Sequence, residues 1–256
     1  MSGRGGGLAG RRVLVVGASL GIGAALARAV VAAGGQVAVS AWRVERLEAL
    51  VAEIGAGTAL VGDTTDPASA RAVAAGAAEA MGGIDAMGGI DAMVYAAGYG
   101  VLQRLADTDP AVWSDVFAVN VLGANHAAAA VLDHLDPDGV VAFVSSRTVI
   151  DANPIFASYS STKAALDQCI RTWRFEHPDR RFLRIVMGNT FPTEFGDHMG
   201  TVLLGEALTA WGERAIPGGF MATDDVGVAL AEVLATVLTH PGIDLCDVQF
   251  DARRPN

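Results

Sequence analysis

Tyr159 and Lys163 stand four residues apart in the stretch Ser158-Tyr159-Ser160-Ser161-Thr162-Lys163. On a helix that spacing places both side chains on one face. A phenol is a poor acid at neutral pH, with a free pKa near ~10. A fixed ammonium beside it favours the phenolate and lowers that value, giving a proton donor and acceptor suited to interconverting carbonyls and alcohols. Lys163 is the only lysine among 256 residues, and the chain has three tyrosines. A lysine placed at random would fall four after a tyrosine only ~1% of the time, so the pair reads as chemistry rather than an ordinary exposed helix face. In a chain otherwise using Arg, the lysine is kept for a compact charge on a flexible stem.

A second group of residues could hold a nucleotide. Gly17-Ala18-Ser19-Leu20-Gly21-Ile22-Gly23 lies between a β-branched run and a helical pattern. There a pyrophosphate would rest on a helix N-terminus, and glycines let it approach the backbone. Alone the pattern is weak; its position between a first strand and a first helix gives it weight. After the second strand an acidic residue would bind a ribose diol and repel a 2′-phosphate. This chain has Ser40-Ala41-Trp42-Arg43, with no acid and one candidate phosphate partner in Arg43. NADP(H) is therefore favoured, with NAD(H) the alternative.

The elements that must position these groups alternate strictly. Strands are expected at 12–16, 36–41, 58–62, 92–96, 140–145, 182–187 and 245–250. Helices are expected at 24–33, 44–54, 67–80, 110–135, 158–175 and 223–238. Strict alternation means right-handed βαβ crossovers and a parallel sheet. The expected fold is α/β, a doubly wound Rossmann-type parallel sheet of about seven strands in a single domain, residues 11–256. The Gly-rich residues 1–10 lack the apolar core of a signal peptide and are expected to be a flexible tail.

Composition narrows the partners. The net charge of −10 argues against nucleic acid and anionic membranes. No apolar run is expected to span a membrane. The five histidines show no ligand spacing, so no metal site is expected. Cys169 and Cys246 lie in apolar segments without metal spacing and read as reduced core residues of a cytoplasmic protein. One anomaly stands apart. Residues 80–85, Ala-Met-Gly-Gly-Ile-Asp, recur identically at 86–91, too short and too few for a solenoid. They read as a local duplication entering the fourth strand.

From residue 12 to 250 the chain resembles the short-chain dehydrogenases/reductases of the classical type. Gly17, Gly21 and Gly23 match that family's Gly-xxx-Gly-x-Gly loop. Asp63-Thr64 matches its adenine-contacting acidic position. Tyr95-Ala96-Ala97-Gly98 stands where the family usually has Asn-Asn-Ala-Gly, a departure expected to touch sheet stability more than chemistry. Asn120, Ser146, Tyr159 and Lys163 match the catalytic tetrad, Ser145 being the other candidate serine. The Pro-Gly that follows the sixth strand in the family is absent, and Thr193 in Met187-Gly188-Asn189-Thr190-Phe191-Pro192-Thr193 is the candidate hydroxyl for the cofactor. The usual basic positions near the 2′-phosphate hold Leu20 and Trp42, which leaves Arg43.

The resemblance implies hydride transfer between a nicotinamide and a carbonyl or secondary alcohol. Tyr159 would exchange the proton, Ser146 would hydrogen-bond the substrate oxygen, and Lys163 would lower the phenol pKa and hold the nicotinamide ribose. Asn120 would hold a water leading to solvent. The implied cofactor set is Gly17, Ser19, Leu20, Gly21, Ile22, Gly23, Arg43, Asp63, Thr64, Ala97, Gly98, Asn120, Tyr159, Lys163 and Thr193. A substrate lid is expected at about residues 190–220, with Phe191, Phe195, Met199 and Leu203 as apolar contacts. Tyr99, Arg147, Ile150, Asn153 and Phe156 are expected near the substrate. The partner is a small carbonyl or alcohol, and the family suggests a homo-oligomer, a tetramer or dimer. The competing reading is a non-catalytic nucleotide-binding or regulatory protein that keeps the fold; an intact Asn–Ser–Tyr–Lys set argues against it.

Overall fold

A computed structural model describes residues 7–82, 89–193, 195–196, 199–213 and 219–253. Five-residue β1 (Arg12–Val16) shows how the sheet is built. Its Val13 and Val15 enter one core cluster, while Leu14 and Val16 enter the other. Every second residue of a strand faces the same side, so near-continuous apolar strands demand helices on both faces. The sheet order is β3 (Thr58–Val61), β2 (Gln36–Ala41), β1, β4 (Ile90–Tyr95), β5 (Leu135–Ser146), β6 (Arg181–Met187) and β9 (Asp247–Phe250). All six pairings are parallel.

One layer holds α1 (Gly21–Ala32) and α8 (Thr223–Thr239), with Leu26, Val30, Leu230 and Leu234 packed on the odd-numbered β1 valines. The other holds α3 (Pro67–Ala80), the helix beginning at α4 (Pro110–Phe117) and ending at α5 (Ala124–Val131), and α6 (Ala157–Glu176). Leu166 and Ile170 of α6 pack there with Phe143 and Phe182. Two helix starts are written locally in Asp-Pro. Asp66 accepts from the backbone N–H groups of Ala68 and Ser69, and Asp109 accepts from Ala111, each ahead of a proline at the first helical position. Each such cap is worth about 1 kcal/mol.

Several expectations are corrected. Residues 7–10 do not trail from the domain: Leu8 is fully buried in the α1/α8 layer. The rest of the expected tail lies outside the described residues. The helical stretch Pro110–His134, 25 residues holding an 18-residue window of mean hydropathy 1.3, is long and apolar enough to cross a membrane, contrary to expectation. Half of that window is buried, and Ala124, Ala128 and Val131 pack against the sheet as a core helix does. The same stretch is not one regular helix, since Ala118–Gly123 is a π turn. Within the expected lid lies an unforeseen helix α7 (Thr201–Glu213), and β7 (Thr190–Phe191) at its start pairs with β8 (Met221–Ala222) just beyond its end. Both cysteines are free, and both are only partly buried rather than core.

Half of the duplicated hexapeptide, residues 83–88, lies outside the described residues, but its flanks are informative. Met81 closes α3 and is buried, and a Cβ on Gly89 would lie 2.9 Å from that of Ala78. Ala78 to Gly82 spans only about 6 Å of helix. The chain thus returns against the turn it left. Asp91 accepts at 2.8 Å from both the backbone N–H and Nε of Arg12, and at 3.3 Å from Arg11. Those guanidinium and backbone bonds hold its carboxyl below the usual range against its burial. Deleting one copy restores Ile-Asp at this place. The deletion variant is expected to melt no lower than wild type and to keep kcat/KM within about threefold, under ~0.7 kcal/mol. A tenfold loss would show that the second copy carries structure.

Candidate active site

The sheet order reverses between β1 and β4, and the crevice at their carboxyl ends is where open α/β sheets take ligands. Gly17 leaves β1 and Ala97-Gly98 leaves β4 at this place. The two turns touch: a Cβ on Gly17 would lie 2.3 Å from the Ala97 nitrogen, and its φ is +89°. A Cβ on Gly23 would lie 2.3 Å from the Gly17 oxygen, which seats α1 directly on the turn. Leu20 caps α1 without a side-chain hydrogen bond, so the first N–H groups of the helix keep their capacity for an anion. Ser19, Leu20 and Gly21 line a cavity of about 460 Å³ with Arg28, Pro192 and Thr223. A turn that only glycine can occupy, opening on a helix N-terminus, fits a dinucleotide phosphate.

The other expected cofactor residues surround this crevice. Arg43 caps α2 (Val44–Ile54), and its guanidinium lies 5.1 Å from the ring centroid of exposed Trp42. Its Nε is buried without a partner among the described residues. Asp63 holds its own loop by accepting from the N–H and hydroxyl of Thr65 at 2.9 and 2.8 Å. Thr193 follows the cis Phe191-Pro192 bond, and its carbonyl comes within 3.1 Å of where a Gly21 Cβ would be. Ile22 sits on the first turn of α1 and packs into the α1/α8 core.

Tyr159, Lys163 and Ser146 meet at the carboxyl end of β5. The Ser146 hydroxyl lies close enough to the phenol to favour its ionised form. Strand parity separates the two serines: Ser145 turns toward α6 and donates to Asp167 Oδ1 at 2.5 Å, so its hydroxyl is spent. Asp167 is also paired to Arg184 at 2.6 Å, and Arg184 to Asp247 at 2.6 Å. Sequence reasoning missed Asp167, although it stands four residues beyond Lys163 on the Tyr159–Lys163 face. Asn120 is fully buried in the π turn. Its Nδ2 donates to the Tyr99 carbonyl at 2.8 Å and Thr162 Oγ1 at 2.9 Å, and its Oδ1 accepts from the Tyr99 N–H at 2.8 Å. A Cβ on Gly98 would lie 3.8 Å from Asn120 Oδ1 and 3.9 Å from Lys163 Nζ, so both side chains border Gly98.

The electrostatics differ from the expectation. Burial pushes the Tyr159 phenol up to about 12, with the nearby Ser146 hydroxyl pulling the other way. Lys163 Nζ lies 5.6 Å from the phenol ring centroid and donates to the Val144 carbonyl at 2.8 Å. Burial brings this ammonium down to about 8, against the pull of Asp167. Spacing along a helix reports which charges are close; it does not report how much water is removed.

The lysine shift predicts a pH dependence of stability. Between about 8 and the ordinary value of 10.5 the unfolded chain keeps the Lys163 proton and the folded one does not. Stability therefore rises with pH across that window, on the order of 3 kcal/mol in all. The difference in unfolding free energy between wild type and Lys163→Met should rise from pH 8 to 10. A flat difference in chemical denaturation would show that the ammonium is not held in this dry site.

On the substrate side three rings close together. Phe156 stacks on Tyr159 at 4.5 Å, and Phe195 meets Tyr159 edge-on at 5.3 Å. A Cβ on Gly100 would come within 3.0 Å of all three rings. Leu102, Met199, Leu203 and Trp211 complete this cluster. Of the other residues expected near substrate, Ile150 is exposed, and Phe191 packs on Phe220 in the small sheet, away from the cluster. Arg147 bonds Asp151 at 2.8 Å and Asp251 at 2.7 Å, which leaves it no charge for an anionic substrate. Asn153 is buried.

The family described as short chain dehydrogenase matches residues 11–197 of this chain. An uncharacterized oxidoreductase of Mycobacterium tuberculosis (strain ATCC 25618 / H37Rv) is 42% identical over 168 residues, 65% of this chain and 63% of that protein. The match thus spans under two thirds of that relative's length. An alcohol dehydrogenase from the archaeon Thermococcus sibiricus, solved with 5-hydroxy-NADP, superposes with TM-score 0.76 and 26% identity over 96% of this chain and 99% of that one. A short chain dehydrogenase from Burkholderia cenocepacia J2315, solved in complex with NADP, gives TM-score 0.80 and 26% identity over 95% and 97%.

Proposed function

Since the chain belongs to the short-chain dehydrogenase family of oxidoreductases, we propose that it is an NADP(H)-dependent ketone reductase or alcohol dehydrogenase acting on small apolar carbonyl compounds. The observation that carries this reading is the Tyr159 phenol beside buried Lys163, with Ser146 at the end of β5 next to them, at the crevice where the glycine turn ends β1.

In the reductive direction Tyr159 donates its proton to the carbonyl oxygen, and the Ser146 hydroxyl holds that oxygen in place. NADPH, when bound, supplies the hydride to the carbonyl carbon. Lys163, one turn beyond Tyr159, offers its ammonium to the nicotinamide ribose and favours the phenolate that remains. Asn120 fixes the loop after β4 against α6 through Tyr99 and Thr162, which holds the ammonium's surroundings in place. The Gly17–Gly23 turn takes the pyrophosphate, Asp63 and Thr64 face the adenine, and Thr193 lies beside the glycine turn for the nicotinamide end. Residues 190–220 act as the substrate lid. An apolar carbonyl is favoured by Phe156, Phe195, Met199 and Trp211 around the phenol and by the compensated charge of Arg147.

The preference for NADP(H) rests on the missing acid after β2 and on the Arg43 Nε, which has no partner among the described residues. The same reading takes the protein as a cytoplasmic homo-oligomer, supported by the apolar side chains Leu122 and Phe175, 53% and 88% exposed. A screen of carbonyl compounds with NADPH and NADH tests it, read as loss of reduced-nicotinamide absorbance. Apolar ketones should turn over, NADPH should show the lower KM, and Arg43→Ala should narrow the gap. Bound cofactor with no carbonyl reduced would favour a non-catalytic nucleotide-binding protein.

A further inference from the structure

Tyr95 closes β4 on the α3/α5/α6 side and is fully buried. A buried phenol needs a partner for its hydroxyl. Here the oxygen lies 2.6 Å from the Val119 carbonyl and 3.2 Å from Thr64 Oγ1. A carbonyl can only accept, so the single phenol proton goes to Val119, and the Thr64 hydroxyl donates to the phenol oxygen. Burial also raises this phenol's pKa, so it stays a donor over the working range.

Val119 lies in the π turn Ala118–Gly123, next to Asn120. A π turn widens the helix by one residue and leaves carbonyls short of their regular i+4 donors. Tyr95 supplies one such donor from outside the helix. The sequence makes room for it: a Cβ on Gly123 would lie 2.6 Å from the Tyr95 oxygen and 2.7 Å from Thr64 Oγ1. The Thr64 loop is in turn tied to α5, with the His126 ring nitrogen 3.0 Å from the Thr64 carbonyl. One hydroxyl thus connects β4, the loop after β3 and the turn that carries Asn120.

We propose that Tyr95 is a positioning residue that acts through Asn120: its hydroxyl caps Val119 and holds open the π turn that sets the Asn120 carboxamide among Tyr99 and Thr162. The proposal rests on the reading that Asn120 serves the reductase site. Without the hydroxyl, the half-buried Val119 carbonyl favours relaxation of the turn to α geometry. Dropping one residue from a turn rotates its neighbours by about 100° about the helix axis, which takes Asn120 off its partners. On this proposal the departure at position 95 reaches the chemistry as well as the sheet.

A double-mutant cycle in the full-length protein tests this. Tyr95→Phe keeps the ring in the core and removes only the hydroxyl. It should lower kcat about tenfold, with the carbonyl KM within about twofold. In an Asn120→Ala background the same change should alter kcat by less than about twofold. Gly123→Ala, whose Cβ displaces the hydroxyl, should reproduce the Tyr95→Phe result. Hydrogen exchange of peptides covering residues 117–124 should quicken in both variants, whatever the activity. An unchanged kcat, the same loss in both backgrounds, or unchanged exchange would each overturn the proposal. A wild type inert toward every carbonyl would fail the functional reading instead, and exchange alone would then decide the tie between Tyr95 and the turn.

Discussion

Tyr159→Phe is expected to lower kcat at least about a thousandfold while leaving NADPH affinity within a few-fold. General acid catalysis by a placed side chain contributes about 10²–10⁴ in rate, and this substitution removes only the oxygen that carries the proton. The ring stays stacked on Phe156, so the apolar wall survives. Ser146 hydrogen-bonds Thr148, so it keeps a partner when the phenol is gone. Burial keeps the phenol protonated up to about pH 12, so the acid is present throughout the range in which reduction would be assayed. The loss should therefore be the same at pH 6 and pH 8. Fluorescence titration with NADPH separates chemistry from binding. Retention of more than a tenth of wild-type kcat would remove Tyr159 as the proton donor.

Much of the fold was legible because its signals are local. The β-branched runs at 12–16 and 36–41 became the observed strands, and Asp66-Pro67 and Asp109-Pro110 marked two helix starts through bonds spanning two or three residues. What was not legible is non-local. Leu8 is buried by α8, whose first residue is more than 200 positions away. Arg147 has a local partner in Asp151, four residues on, but its second partner, Asp251, is a hundred residues away. The phenol and ammonium were placed together by their i, i+4 spacing, yet the direction of the Tyr159 shift depends on its burial in the folded chain. The π turn was hidden because its residues, Ala118-Val119-Asn120-Val121-Leu122-Gly123, carry the same apolar period as a regular helix. Its cause lies at Tyr95, on a strand.

The same contrast between local and non-local cost sets the second large effect, at Gly17. Gly17 and Gly55 both have positive φ, +89° and +66°. Gly55 ends α2 with nothing within 4 Å of a Cβ, so Gly55→Ala meets only the backbone penalty, about 1–2 kcal/mol. Gly17→Ala meets that penalty and also places its Cβ 2.3 Å from the Ala97 nitrogen and 2.5 Å from the Ala97 Cα. Neither atom can turn aside as a side-chain tip would, so the ends of β1 and β4 must part. Their separation moves Gly98, and with it the border shared by Asn120 and Lys163. Gly17→Ala is therefore expected to lose more than ~3 kcal/mol of stability and over a hundredfold in NADPH affinity, while Gly55→Ala binds NADPH as wild type does. Equal losses in the two variants, by denaturant midpoint and cofactor titration, would mean that the β1 and β4 turns do not meet as closely as described.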